Sequence, residues 1–174
     1  MLEGAVLVTA IASAAAVVIA AIAFRSQSRH ATRMIEMEML DRMMTKFDSA
    51  SMHEDRLAVA TRFLAGEPAG VTEFMASQTD ILNFFETVGL MHSRQVFDTE
   101  LVWTVFYDPA IHYWTACEDQ VAEYRKANHD KSYWAYYESL NDQLLKHQRA
   151  SGSTGRAIKD FMTGEVKECA PRPR

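Results

Sequence analysis

The feature that most constrains this chain is an uncharged apolar stretch near its N-terminus, at 5–24. It reads AVLVTAIASAAAVVIAAIAF, with no proline and with Thr9 and Ser13 as its most polar residues. As a helix, these 20 residues would span about 30 Å, the thickness of the hydrocarbon core of a bilayer. Lipid offers no partners for backbone N–H and C=O groups, whereas a helix satisfies them within one segment. The stretch therefore predicts a transmembrane helix that follows a short N-terminus, 1–4.

Two alternatives remain open for this stretch. A cleaved signal peptide could use the small residues Ala21 and Ala23, but it usually opens with positive charge and has a shorter apolar region of about 7–15 residues. The opening residues 1–4 carry no Lys or Arg. A buried helix of a soluble protein would normally show a polar face, which this stretch lacks. A retained membrane span is therefore favoured over both alternatives.

Arginines that follow the stretch predict its orientation. Arg25, Arg29 and Arg33 come directly after it, whereas no Lys or Arg precedes it. Basic residues near the ends of a span tend to stay in the cytoplasm, so we expect the N-terminus outside and the C-terminal part inside. The same three arginines are candidates for contacts with anionic lipid headgroups, although topology alone would account for them.

The composition after the span indicates one folded, acidic domain at 25–149. All three Trp and all six Tyr lie beyond the span, which favours a folded domain over a disordered tail. Residues 34–155 carry 10 Lys and Arg against 19 Asp and Glu, which argues against nucleic-acid binding because phosphate contacts need a basic face. Cys117 and Cys169 form no CxxC motif or metal-binding spacing, as is typical of a reducing compartment.

The spacing of apolar residues predicts an all-α fold, because no segment shows convincing strand alternation. The span is expected to continue, without Gly or Pro, as one helix to residue 47. A capping box from Ser51 to Glu54 predicts the start of the next helix, and Gly66 its end. The apolar face predicted for this helix consists of Leu57, Ala60, Phe63 and Leu64.

Further helices follow at shorter intervals. One is expected over 72–90, and Asp98 opens a short helix after it. Asp108 and Pro109 are typical of an N-cap and a first helical residue, so they predict a new helix there. After a polar break at 128–130, a last long helix is expected to end near residue 149. The segment 150–174 is predicted to be a flexible tail, with a helical turn only at 157–162.

Five methionines cluster after the span: Met34, Met37, Met39, Met43 and Met44. Copper(I) prefers such soft thioether ligands. However, methionine is also an adaptable packing residue, and these lie at helical spacing beside Ile35 and Leu40. The packing interpretation is favoured, and a short coiled-coil seam between two copies of the chain stays open.

No catalytic or metal-binding signature is found in the sequence. None of the six histidines belongs to an HExxH motif, no Gly-x-Ser-x-Gly turn is present, and the seven glycines are too dispersed for a phosphate loop. We therefore expect a protein that is not an enzyme, with no catalytic residue, no metal site and no cofactor.

Aromatic residues are concentrated in the second half of the chain: Trp103, Phe106, Tyr107, Tyr113, Trp114, Trp134, Tyr136 and Tyr137. They could line a pocket or an interface, since Trp and Tyr are frequent in binding hot spots. They could equally fill the core of a small helical domain. Trp134 and Tyr136 lie off the stripe formed by Tyr133 and Tyr137, so these two are the candidates for a partner-facing surface.

Several of these segments resemble a known family. They are NFFETVGL at 83–90, ELVW at 100–103, Tyr113 with Trp114, Arg125, and the run at 133–140. Together they resemble an uncharacterised family of bacterial single-span membrane proteins with a cytoplasmic helical domain of unknown function. The resemblance covers 5–145 and implies the fold, the topology and a place in the bacterial inner membrane. It implies no reaction, cofactor or catalytic residue.

Within that pattern, Glu86 and Arg125 each lie beside an apolar stripe. We expect them to pair between two helices and to fix the register of the bundle. The alternative is two independent surface charges, which is the commoner case for charged residues.

The function expected from the sequence is a membrane-anchored helical interaction module. Such a module would be an accessory or assembly subunit of a larger bacterial membrane complex, for which a respiratory or a photosynthetic complex would be a natural host. Ala12, Ala16 and Ala20 recur every four residues, so another helix could approach closely along that face. The expected partners are therefore integral membrane subunits or a second copy of the chain. The alternative is a membrane-tethered sensor or regulator that binds a small apolar ligand among the aromatic residues.

Overall fold

The computed structural model describes residues 23–27, 33–66 and 76–170. Every regular element in these ranges is a helix, which confirms the predicted all-α class. None of the helices described combines the length and the apolar content that a bilayer crossing requires. The predicted span at 5–24 lies outside the described residues, apart from Ala23 and Phe24 at its end.

The chain divides into two units, Met1–Arg42 and Met43–Arg174. Residues 23–27 are helical, and so are residues 33–47, which form α1. The predicted continuation of the span is thus helical wherever it is described, and residues 28–32 lie outside that description. The remaining helices are α2 Ala50–Ala65, α3 Ala76–Ser93, α4 Thr99–Asn128, α5 Ala135–Ser151 and α6 Ile158–Cys169.

Local capping signals placed two helix ends correctly. Asp98 caps α4, since its carboxylate accepts a hydrogen bond from the N–H of Leu101 at 2.7 Å. Gly66 ends α2 in the left-handed conformation, with φ of 65°. The start of α2 differs from the prediction: Ser49 is the N-cap and accepts from the N–H of Met52, two residues ahead of the predicted cap at Ser51.

The predicted helix start at Pro109 is wrong, because α4 continues through this proline as one helix of 30 residues. Pro109 cannot donate to the carbonyl of Val105, which is the normal cost of proline inside a helix. On both sides of it the buried residues keep one phase, with Phe106 and Ala110 exposed by 2% and 0%. Burial of this uninterrupted stripe offsets the missing hydrogen bond, so the helix does not break.

The predicted flexible tail, 150–174, contains a packed helix. Residues 153–157 have no regular structure, and α6 follows them for 12 residues. Helix α6 packs against α2 and α4 and buries Phe161 and Met162. The short apolar turn expected at 157–162 is thus the first half of a longer element, and the folded part extends beyond the predicted boundary at 149.

Aromatic rings fill the interior of the second unit. The rings of Phe47, Phe84, Phe85 and Phe106 contact one another with centroids 5.0 to 6.4 Å apart. Tyr137 stacks on Phe85 at 5.0 Å, and its hydroxyl donates to the carbonyl of Ala110 on α4 at 2.6 Å. These contacts support the core interpretation of the aromatic residues.

Helices α3 and α5 approach closely at Gly89. This residue is buried, and a Cβ atom there would overlap the backbone carbonyl group of Tyr136 and come within 3.0 Å of the N atom of Tyr137. Backbone atoms cannot rotate away as a side chain can, so the two helices would have to separate. Glycine at this position therefore sets the distance between α3 and α5.

We expect Gly89→Ala to lower the free energy of unfolding by about 2 kcal/mol or more, because the added methyl group would overpack the contact. Gly164→Ala is the matched control, since its Cβ would meet only Arg156 Nη1 at 3.9 Å. That control should raise stability by up to about 1 kcal/mol, because alanine favours a helix over glycine. Denaturant unfolding followed by circular dichroism measures both. Equal stability of the two variants would contradict the close approach.

Candidate functional site

A charged side chain occupies the buried face of α2. The buried residues of this helix are Met52, Arg56, Val59 and Ala60, whose spacing places them on one side. Arg56 is only 3% exposed. The predicted face instead placed Leu64 inside, but this side chain is 41% exposed. The buried face of the helix is rotated relative to the prediction because it includes Arg56, which the predicted face left out.

The carboxylate of Glu165, on α6, accepts two hydrogen bonds from the guanidinium group of Arg56. Arg56 Nε donates to Glu165 Oε2 at 2.6 Å, and Nη2 donates to Oε1 at 2.9 Å. Tyr113 of α4 donates its hydroxyl to the same Oε2 at 2.5 Å. The three residues are exposed by 5% or less. This set of three residues, the Arg56 cluster, joins α2, α4 and α6 at a single carboxylate.

Aromatic rings surround the Arg56 cluster. The guanidinium carbon of Arg56 lies 4.3 Å from the centroid of the Phe47 ring, within the range of a cation–π contact. Phe161 of α6 packs its ring edge-on against Tyr113, with centroids 5.5 Å apart, and lies 4.7 Å from the ring of His112. These rings exclude water, so each polar contact inside the cluster acts in a medium of low dielectric.

The cluster is costly to bury but more costly to break. Desolvation of two charges consumes most of their mutual attraction, whereas removal of one partner leaves the other charge buried and unpaired. One nitrogen, Arg56 Nη1, is buried and has no hydrogen-bond partner in the described part of the chain. The main effect of the cluster is therefore to fix where α6 docks.

Burial and Glu165 together shift the protonation equilibria of the cluster. Burial raises the pKa of Tyr113 far above its ordinary range, and the neighbouring negative charge of Glu165 raises it further. Burial alone would lower the pKa of Arg56, but the hydrogen bond and charge of Glu165 raise it overall. Tyr113 therefore stays a neutral donor and Arg56 stays a cation over the whole physiological range.

Cys169, at the end of α6, does not supply a reactive thiolate. Burial raises its pKa to about 11, and the charges of Glu165 and Glu168 add to the effect while Arg56 opposes it. A thiol is nucleophilic as its thiolate, and this one stays protonated near neutral pH. Among the residues that the structure describes, no three His, Cys, Asp or Glu side chains are placed to hold a metal ion. The arrangement is suited to recognition between helices.

Of the two predicted surface aromatics, one is buried. Trp134 is 7% exposed, and its indole N–H donates to Asn83 Oδ1 at 3.0 Å. The prediction that it faces a partner is therefore wrong, because Trp134 precedes α5 in a left-handed conformation with φ of 54° and turns inward toward α3. Tyr136 is 42% exposed, so a partner-facing role for it stays a prediction.

The predicted pair between Glu86 and Arg125 is also replaced by other partners. Glu86 accepts hydrogen bonds from the N–H groups of Tyr137 at 2.8 Å and Tyr136 at 3.4 Å. Arg125 donates to Glu138 at 2.8 Å and to the carbonyl of Tyr133 at 2.9 Å. The physical reason is that the start of α5 presents free backbone N–H groups, which a carboxylate from α3 can satisfy.

A wide cleft lies at the same corner of the domain. Its volume is about 740 Å³, and it is lined by Ala122, Arg125, Lys126, His129, Lys131 and Glu138. Arg125 is already paired with Glu138, and Lys126 lies 4.0 Å from Glu123. The positive charge of Arg125 is thus already compensated.

The remaining predicted site residues all lie in the N-terminal part of the chain. Ala12, Ala16, Ala20 and Arg29 lie outside the described residues. Arg25 and Arg33 are described and exposed, and their contact with anionic headgroups stays a prediction.

Sequence reasoning missed the Arg56 cluster. The predicted apolar face of α2 did not include Arg56, although Arg56 shares a helix face with Met52 and Val59. Glu165 lies four residues after Phe161 and three after Met162, so it interrupts an apolar stripe. A charge inside an apolar stripe on each of two helices is the signal that could have indicated a buried pair.

Glu165→Gln should lower the free energy of unfolding by about 3 kcal/mol, because the guanidinium of Arg56 would stay buried without its counter-charge. The matched control is Glu168→Gln, whose side chain is 67% exposed and lies 3.7 Å from Arg56 Nη2. That control should change stability by less than about 0.5 kcal/mol. Denaturant titration in detergent measures both, and similar losses for the two variants would contradict the assigned roles.

Alkaline pH should destabilise the domain through its buried tyrosines. Burial raises the pKa of Tyr113 and Tyr137 above the ordinary value of 10.0, so above pH 10 the unfolded chain loses protons that the folded chain keeps. Each of these two tyrosines then lowers the free energy of unfolding by about 1.4 kcal/mol between pH 9 and pH 11. Tyr113→Phe should reduce the loss over this interval by that amount. An unchanged pH dependence would show that Tyr113 ionises normally in the folded state.

Comparison with known proteins supplies the family. No curated protein and no solved structure matches the chain significantly. The family described as a domain of unknown function, DUF4760, matches residues 10–144. Arg56 and Tyr113 lie inside the matched range and Glu165 lies beyond it. Because the match covers well over half of its length, the chain belongs to this DUF4760 family.

Proposed function

We propose that the chain is a membrane-anchored helical interaction module, an accessory or assembly subunit of a larger membrane complex in the bacterial inner membrane. The apolar stretch 5–24 would be its single transmembrane helix, with the N-terminus outside and the helical domain in the cytoplasm. Arg25, Arg29 and Arg33 would lie at the level of the anionic headgroups, where basic residues are attracted.

The observation that carries this proposal is the exposed apolar surface of α1. Met34, Ile35 and Met37 are 72%, 57% and 61% exposed. Exposure of apolar side chains to water costs about 25 cal/mol of free energy per Å² of apolar surface. A group of exposed apolar side chains is therefore typical of an interaction site. Methionine suits such a surface, because its flexible side chain adapts to different partners.

The position of this surface in the chain favours an integral membrane subunit as the partner. Met34 follows the end of the proposed span by ten residues, about 15 Å along a helix. A partner helix that packs on the alanine face of the span could therefore continue onto α1. A second copy of the chain would meet the same geometric requirement.

The ligand-binding alternative has less support. Phe85 lies 5.0 Å from Tyr137 and 6.5 Å from Tyr113, measured between ring centroids. These side chains contact one another directly and are fully buried. These aromatic side chains thus already pack against one another in the core.

Ala16→Leu should reduce recovery of partner subunits at least fivefold, because the larger side chain would hold a neighbouring helix away from the alanine face. The matched control is Ala14→Leu, since residue 14 would lie on the opposite side of the proposed helix. Purification of the tagged protein in mild detergent, followed by quantitative mass spectrometry, measures the recovery. Both variants should remain in the membrane fraction.

Two results would contradict the proposal. If the tagged protein fractionates away from membranes, 5–24 is no anchor. If Ala16→Leu and Ala14→Leu recover partners equally well, the alanine face does not contact them.

A further inference from the structure

Helix α6 lies in a groove whose walls come from α2 and α4. We call it the α6 groove and define it by Arg56, His112 and Tyr113, the residues that contact Glu165 and Phe161. The groove combines apolar rings with one buried cation. A helix that enters it must therefore present an aromatic side chain and, one turn later, a carboxylate.

Helix α6 is attached in a way that permits it to leave the groove. It has 12 residues, and a helix of that length is marginally stable without tertiary contacts. The connection at 153–157 is exposed and has no regular structure. The side of α6 opposite the groove is also exposed, at Lys159, Asp160, Thr163 and Lys167. Among the described residues, the groove contacts of α6 are joined only by weak contacts of this connection, such as the partly exposed ion pair between Arg156 and Asp108 at 3.8 Å.

The family match covers the residues that define the α6 groove but does not cover α6 itself. Arg56 and Tyr113 lie within the matched range 10–144, whereas all of α6 lies after it. The part of the chain shared with the family therefore carries a cation in an apolar setting, and the counter-charge comes from outside that part. Without α6, another carboxylate would have to supply it, because an unpaired buried charge is strongly unfavourable.

Helix α6 also leaves one donor of the groove unused. Arg56 Nη1 is buried and has no acceptor in the described part of the chain, although Nε and Nη2 are both satisfied. A buried donor without a partner costs free energy that a better-matched ligand would recover. A helix that adds an acceptor for Nη1 would bind the groove more tightly than α6 does.

We propose that the α6 groove is a binding site for an amphipathic helix of a partner protein, and that α6 occupies it in the partner's absence. The partner helix carries a carboxylate four residues after an aromatic residue and a second acceptor for Arg56. The inference rests on the proposed role as an interaction module and specifies one of its contact surfaces. Because α6 is tethered, it competes at an effective concentration in the millimolar range, so the partner must exceed its affinity.

The test uses the full chain in detergent and a peptide of α6 itself as the probe. The peptide covers 155–170, carries Cys169→Ser and a fluorescein at its N-terminus, and its binding is followed by anisotropy. Glu165→Gln in the full chain weakens its own α6, so the peptide should bind this variant at least tenfold more tightly than the parent. Glu168→Gln, the matched control, should bind like the parent. A control peptide carrying Glu165→Gln should bind neither.

The two cysteines supply a second measurement on the same samples. Cys169 lies on α6, while Cys117 is completely buried in the core. Displacement of α6 should raise the maleimide labelling rate of Cys169 in the Glu165→Gln chain at least fivefold when the peptide is added. The rate at Cys117 should not change, which shows that the domain stays folded.

Either of two results would overturn the proposal. One is that the peptide does not bind the Glu165→Gln chain at 1 mM while Cys117 remains protected. The other is that Cys169 and Cys117 always label in parallel, since α6 would then leave only on global unfolding. Peptide binding should be unaffected by Ala16→Leu, so failure of the groove and failure of the membrane-span contact are separate outcomes.

Discussion

The bidentate contact between Arg56 and Glu165 is the interaction on which the arrangement of α2, α4 and α6 depends. It is also the most demanding contact in the domain, because a guanidinium and a carboxylate are both removed from water. Tyr113 satisfies a further lone pair of the carboxylate, and the Phe47 ring covers the cation. Because these geometric requirements must be met together, apolar packing alone would not select this position for α6.

The start of α5 also depends on polar contacts, in this case contacts with backbone groups. The first N–H groups of α5 have no partners within their own helix, and Glu86 of α3 accepts from two of them. Arg125 of α4 binds the same segment through the carbonyl of Tyr133. Gly89 allows the backbones to meet closely enough for these contacts. The start of α5 is thus fixed by side chains from both neighbouring helices.

Features that depend on neighbours in sequence were predictable, and those that depend on distant partners were not. Asp98 and Gly66 mark helix ends because their capping contacts lie within four residues. Pro109 carries a local signal for a helix start, but burial of the stripe on both sides of it outweighs that signal. Helix propensity is only a weak guide when tertiary packing acts against it.

The same difference between local and distant contacts is larger at the candidate site. Arg56 and Glu165 are separated by 109 positions, so neither residue alone reveals the other. The prediction for Glu86 identified a residue that fixes the bundle but assigned it the wrong partner, because backbone donors do not appear in a pattern of side chains. Trp134 was predicted on the surface because a helical phase was extended to a residue that precedes its helix.

The unbroken course of α4 through Pro109 has a mechanical consequence. Phe106 lies before this proline and Arg125 after it, 19 residues apart on one helix, which is about 28 Å along its axis. A helix transmits a tilt or a shift along its length as a rigid rod, whereas two helices joined at Pro109 would absorb it at the joint. The packed rings around Phe106, the groove that holds α6 and the corner that holds α5 therefore all lie on one rigid helix, so a displacement of this helix at one of them would reach the others.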